Sequence, residues 1–162
     1  MEKQIKIQAA ICIVFWIFSV FLAVGAVKNA YARDIDTIII HHTGVDLDQS
    51  VMDITKYHES KKWDGIGYHW FIDIRGKLFS GRDEDRAGAH AKERNANSIG
   101  ICVVGKGPAN IKQLNTLIEI CSEVMDRYDI ENIEAHHENC PGETVDVSQL
   151  KRAISIYESF NE

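Results

Sequence analysis

DIDTIIIHH, residues 34–42, is a short isoleucine-rich run bounded by polar residues and ending in two adjacent histidines. Length and composition predict a strand buried within a sheet, and the rest of the chain can be read around it. SIGICVVG (98–105) reads the same way, as a strand able to be buried on both faces. Between them, DQSVMDITKYHESKKW (48–63) places Val51, Ile54 and Tyr57 or His58 at helical spacing and stops at Asp64-Gly65. GYHWFIDIRGKLFSGRD (67–83) has two apolar runs meeting at Arg75-Gly76, the pattern of a hairpin or tight turn between strands. From Ile111 onward Leu114, Ile118, Cys121, Met125 and Tyr128 recur every three or four residues, the stripe of a helix lying on a sheet. NIEAHH (132–137) is a further short strand. SQLKRAISIYESF (148–160) closes the chain as a helix, with Ser148 as its expected N-cap and Leu150, Ala153, Ile154 and Tyr157 on one side. Strands alternating with helices, plus one hairpin, predict an α/β domain with a mixed central sheet flanked by about three helices.

The N-terminus differs in kind. Ala9 to Val27 runs without a charge behind Lys3 and Lys6, close to the roughly 20 residues that cross a bilayer. Ala30-Tyr31-Ala32 then fits the small-x-small pattern of a signal-peptidase site. Residues 1–32 are therefore expected to be a signal peptide or an uncleaved N-terminal membrane anchor, and residues 33–162 a single exported domain, periplasmic or extracellular. Removing residues 1–32 takes three lysines and one glutamate from a chain of net charge -6 and leaves -8. That balance argues against nucleic acid or an anionic membrane surface as the main partner, since both need a basic footprint. Membrane contact is expected only through the N-terminal segment, and the domain is expected to be a monomer. Of four cysteines, Cys12 lies in the apolar segment, and the remaining three are an odd number, which excludes a disulfide framework. Cys102 and Cys121 read as buried free thiols. Cys140 alone sits in a polar loop.

That loop is AHHENCPGE, residues 135–143. Successive side chains on a strand point to opposite faces, so of His41 and His42 only one reaches a given site, and the same holds for Tyr68 and His69 and for His136 and His137. One histidine from the first strand, one from the NIEAHH strand, and Cys140 would make the three-ligand set of a catalytic zinc with an open fourth position. The spacing alone is only moderately specific, because a single histidine at a strand end is more often a surface or hydrogen-bonded residue.

IIIHHTG, KYHESKKWDGIGYHWFIDIRGKLFSGRD, AGAHAKERNANSIGICVVG and AHHENCPGE follow one another in an order that resembles the zinc-dependent N-acetylmuramoyl-L-alanine amidases, including the bacteriophage lysozyme-type amidases and the related peptidoglycan-recognition proteins. The likeness covers about residues 35 to 158. It implies zinc as cofactor, with His41, His136 and Cys140 as ligands, and His42 and His137 pointing away into packing. It implies that Tyr68, the tyrosine of GYH, stands beside the zinc-bound water or the scissile carbonyl and donates a hydrogen bond to the oxyanion, and that His90 and Asn97 line the muropeptide groove. His58 and Trp63 read as core packing at a helix end, while Arg82, Lys92 and Arg94 could meet peptide carboxylates.

The departure from the family lies in the last motif. Similar members have about eight residues from the second zinc histidine to the cysteine, often with a lysine or threonine two before it that helps stabilise the oxyanion. Here the interval is four and Glu138 occupies that place. A carboxylate cannot stabilise an oxyanion by charge; it can act as general base on the attacking water, or be a solvated turn residue. Asp146 is a substitute ligand should the short loop misplace Cys140. The implied reaction is hydrolysis of the amide between N-acetylmuramic acid and the L-alanine of the stem peptide. The alternative is a muropeptide-binding module of the same fold, a class in which the cysteine position is typically changed.

Overall fold

The computed structural model describes residues 33–161; residues 1–32, expected to be a signal peptide or anchor and including Cys12, lie outside the described residues. The elements are β1 (Thr37–His42), α1 (Val51–Ser60), β2 (Trp70–Ile72), β3 (Leu78–Ser80), β4 (Ser98–Val103), α2 (Ile111–Tyr128), β5 (Asn132–Ala135) and α3 (Val147–Ser159). They form the expected mixed sheet, in the order β3-β2-β4-β1-β5. β1 lies parallel to both β4 and β5, β2 is parallel to β4, and only the β2–β3 hairpin is antiparallel. Among the described residues no helix is long and apolar enough to cross a membrane.

Alternation along the strands divides the core. Ile38 and Ile40 of β1 and Ile99, Ile101 and Val103 of β4 pack with Leu117, Ile120, Cys121 and Val124 of α2 and Leu150 and Ile154 of α3. Phe71 and Cys102 join Ile54 of α1, Ile66 and Val104 in a second cluster. β4 is buried along its whole length, as SIGICV requires of a strand covered on both sides. Burying one side chain of this size stabilises by roughly 1.5–3 kcal/mol, so the sheet is a firm support for the side chains that project from it.

Two sequence expectations shift. α3 is capped by Asp146, whose carboxylate accepts from the Ser148 and Gln149 amides, and not by Ser148. Asp146 is thus committed to a helix N-terminus, where a carboxylate also meets the positive end of the helix dipole, and is not a reserve metal ligand. Regular pairing in β2 begins only at Trp70, so the strict alternation expected at Tyr68 and His69 does not apply there.

Candidate metal centre and active site

His41 and His136 meet because of strand register. β1 pairs β5 through Ile40↔Ala135, and the His136 amide continues the ladder by donating to the Ile40 carbonyl at 3.2 Å. One step beyond, His41 and His136 stand side by side with ring centroids 4.5 Å apart. Cys140 is returned to them by a tight turn: the His137 amide donates to the Cys140 carbonyl and the Cys140 amide to the His137 carbonyl, both at 2.9 Å. Only Glu138 and Asn139 lie between. The four-residue interval therefore shortens the loop without carrying the sulfur away, and Cys140 Sγ is 3.8 Å from His41 Nδ1. One donor atom from each of His41, His136 and Cys140 lies within 4.8 Å of the others. His41 and Cys140 are buried and His136 is the most exposed of the three.

The electrostatics of the two histidines suit ligation. Burial and the neighbouring histidines hold His41 well below its ordinary range, and burial with His137 lowers His136, so both rings are neutral lone-pair donors at neutral pH. Burial raises the Cys140 thiol, opposed by a hydrogen bond from the His42 backbone. His42 points away, as expected. Thr144 Oγ1 donates to the Lys106 carbonyl, which leaves that oxygen to accept from His42 Nδ1–H at 3.1 Å and tie the 139–144 loop to β1.

Behind His41 lies a stack of buried histidines. His41 Nε2 is 3.0 Å from His90 Nδ1, and His90 meets His69 edge-on with centroids 5.5 Å apart. His69 Nδ1 accepts the Gly100 amide at 2.9 Å, so its proton is on Nε2, facing the Arg86 carbonyl at 3.1 Å. Burial above all pushes His69 down to about 4 and His90 down to about 3. Both lie below the ordinary 6.5, so below pH 6.5 the unfolded chain binds protons that the folded protein refuses. The stability they provide is whole above pH 6.5 and is lost as pH falls toward those values. Two such groups are expected to remove about 3 kcal/mol between pH 6.5 and 5. Urea unfolding at pH 7 and pH 5 measures this, and equal midpoints would show that the stack protonates without unfolding.

Tyr68 leans over the ligands, its ring 5.0 Å from His41 and 5.3 Å from His58. Burial, with the Cys102 and Cys140 thiols, pushes its phenol well up, so it remains a neutral hydrogen-bond donor. His58 is buried as expected: its Nδ1 accepts the Gly67 amide at 3.0 Å and its ring packs against Trp63. Glu138 is exposed at the tip of the turn, and among the described residues no hydrogen bond ties it to the ligands.

Several expected groove residues lie elsewhere. Asn97 precedes β4, five residues from Cys102, the register partner of His41, or about 16 Å along a strand. Its amide donates to Asp36 at 2.6 Å and ties the starts of β1 and β4 together; the structure does not bring it to the cluster. His90 is only 8% exposed and stands behind His41 instead of on a groove wall. Arg82 is spent on the carbonyls of Asp64, Ile66 and Ala87, and Arg94 on Glu134 and Thr37. Lys92 alone of the three is exposed.

A family model described as N-acetylmuramoyl-L-alanine amidase matches residues 31–143, more than half of the chain. The chain belongs to that amidase family. An endolysin of Escherichia phage T7 is 34% identical over 116 residues, covering 65% of this chain and 77% of the relative. The solved N-acetylmuramoyl-L-alanine amidase LysC from Clostridium intestinale superposes with a TM-score of 0.72 at 30% identity, over 77% of this chain and 88% of that one. Peptidoglycan-recognition protein 2 of Holotrichia diomphalia is 33% identical over 89 residues, 48% of each chain. This chain is thus an N-acetylmuramoyl-L-alanine amidase by family.

Two residues beside the amidase site escape the reading of the sequence, and only the second left a signal there. Arg33 directs its guanidinium to five backbone carbonyls, those of Glu84, Arg86, Asn95, Ala96 and Ser98, and so organises the irregular loop that carries His90. Cys102, expected to be an inert core thiol, lies against Tyr68 and raises its phenol. Alternation could have found it, since it is the strand neighbour of His41 on the same face.

Proposed function

We propose that this amidase is a zinc enzyme that hydrolyses the amide between N-acetylmuramic acid and L-alanine in exported peptidoglycan. The observation that carries the reading is the His41, His136 and Cys140 donor group. Two imidazole nitrogens and one thiolate are a set that zinc takes readily, and three protein ligands leave a position for substrate. His41 Nδ1 and Cys140 Sγ are 3.8 Å apart and the three donor atoms all lie within 4.8 Å of one another, close enough to be gathered by one ion. When bound, zinc supplies Lewis-acid polarisation of a carbonyl and activation of water near neutral pH.

The remaining work falls to the chain's own groups. Tyr68 donates its phenolic hydrogen to the carbonyl oxygen as negative charge develops there. Its raised pKa keeps that hydrogen in place throughout the neutral and mildly alkaline range. Glu138 is the carboxylate nearest in sequence to Cys140 and the available general base from the turn; its exposure supports the solvated reading instead. Lys92 is left as a basic group for a stem-peptide carboxylate. Residues 1–32 serve export, as a signal peptide or an anchor, and the domain works as a monomer.

The test is release of L-alanine amino groups from peptidoglycan by the purified protein as isolated, after chelation, and after zinc is restored. Activity lost on chelation and regained with zinc is the expected result. Muropeptide binding with no release in any state would instead make the domain a wall-binding receptor, the reading suggested by its likeness to peptidoglycan-recognition proteins.

A further inference from the structure

We propose that His90 is the positioning residue of the metal centre: its Nδ1 accepts the Nε2–H of His41 and so presents His41 Nδ1 to the metal as a bare lone pair. The proposal rests on the zinc reading above, and it replaces the groove-lining role that the sequence suggested for His90.

The geometry begins with a clamp. A Cβ on Gly100 would lie 2.6 Å from the His90 ring, and one on Gly88 would lie 2.6 Å from its Nε2, so the ring fills a slot that only two glycines leave open. The slot is held by Asn95, whose Oδ1 accepts both the His90 and Ala91 amides at 2.8 and 2.9 Å. The ring cannot swing outward toward a ligand, and among the described residues its one hydrogen-bond neighbour is His41 Nε2 at 3.0 Å. Its other nitrogen, Nε2, is buried without a hydrogen-bond partner among the described residues.

Proton counting then leaves two arrangements, because each neutral imidazole carries one N–H and the 3.0 Å contact can hold only one hydrogen. In the first, His90 Nδ1–H donates to His41 Nε2, and His41 must carry its own hydrogen on Nδ1, aimed at Cys140. No metal can bind that nitrogen. In the second, His41 Nε2–H donates to His90 Nδ1, His41 Nδ1 is bare, and the hydrogen of His90 sits on its unpartnered Nε2. Only the second admits a metal between His41 and Cys140. In both arrangements His90 Nε2 has no partner among the described residues, as a bare acceptor in the first and as a donor in the second, so its burial does not choose between them. Metal loading therefore selects one of the two histidine tautomer pairs, and His90 is the residue through which the selection acts. Partners of this kind raise the basicity of a ligand and fix its orientation.

The experiment measures zinc affinity by competition with a chromophoric chelator, alongside nitrogen NMR of the imidazole rings. His90→Phe keeps the ring shape and removes the acceptor; zinc affinity is expected to fall about 10- to 100-fold. His90→Asn places Oδ1 near the lost Nδ1 and is expected to recover affinity to within about threefold, a rescue that a purely space-filling role would not produce. The spectrum of zinc-loaded protein is expected to show both His41 and His90 protonated at Nε2. Wild-type affinity in His90→Phe, with the loss confined to the KM for muropeptide, would overturn the proposal and return His90 to substrate contact. So would a His90 protonated at Nδ1 in the zinc-loaded protein, a measurement that needs no variant to fold. Failure of the amidase reading looks different: zinc binds and responds to His90, yet no L-alanine is released. A wild-type protein that takes up no zinc overturns both.

Discussion

Cys140→Ser is expected to abolish amide release, by at least about a thousandfold, while the metal-free protein keeps its fold. The thiolate is the one anionic member of the donor set, and a serine hydroxyl does not give up its proton to a metal near neutral pH. Removing it leaves two neutral histidines, of which His136 is the more exposed, too few to hold the ion against solvent. The sulfur makes no other contact that the fold depends on: the turn is closed by the His137 and Cys140 backbones, and the His42–Thr144 hydrogen bond anchors the loop on its C-terminal side. Thermal unfolding of the two metal-free proteins should therefore differ by no more than about 1 kcal/mol, the scale of replacing a buried thiol by a hydroxyl with a partner nearby. Zinc affinity and L-alanine release should fall together. Turnover at the wild-type rate in Cys140→Ser would remove the thiolate, and with it the assigned zinc set, from the mechanism.

The parts of this site that could be read from sequence are those set by strand periodicity. Ile38 to Ile40 fix β1 as a buried strand, alternation then separates His41 from His42, and a parallel partner ending in Ala135 brings His136 level with His41. What periodicity cannot state is where an irregular segment folds back. Asn97 and Arg94 come from the same stretch as His90, yet they brace the N-terminal ends of β1 and β4 while His90 turns inward. The difference is made by Arg33 and Asn95, which gather backbone carbonyls and amides of the loop from positions that no spacing rule connects. The N-cap of α3 is hidden from sequence for a similar reason: Asp146 and Ser148 both satisfy the composition rule, and only the backbone at Asp146, extended with amides two and three residues on pointing at its carboxylate, decides between them. The short His136 to Cys140 interval is the opposite case. It looks like damage when measured against a longer family loop, and it is a two-residue turn whose reciprocal backbone bonds deliver the sulfur.

That shortened turn also shifts the catalytic load, because the position two before the cysteine holds an exposed glutamate instead of a group that could stabilise an oxyanion. Tyr68 is then the remaining side-chain donor beside the ligands. Tyr68→Phe is accordingly expected to lower kcat by about 10²- to 10³-fold with zinc affinity unchanged, the cost of removing one oriented oxyanion donor. KM should move little, since the hydrogen bond strengthens only as charge develops on the carbonyl oxygen. The ring stays in place between His41 and His58 in the variant, so the loss reports the hydroxyl and not the packing. Glu138→Gln is the matching comparison. A solvated turn residue predicts a change of less than about threefold, whereas a general base predicts a loss of about 10² or more together with disappearance of the acid limb of the kcat profile. Near-wild-type kcat in Tyr68→Phe would contradict the assignment of the phenol, and a large loss in Glu138→Gln would move proton transfer onto the turn. If the two variants behave as expected, Tyr68 handles the oxyanion and the water is activated without a carboxylate, so a turn this short is compatible with catalysis because its cysteine, and not its glutamate, is the residue the reaction requires.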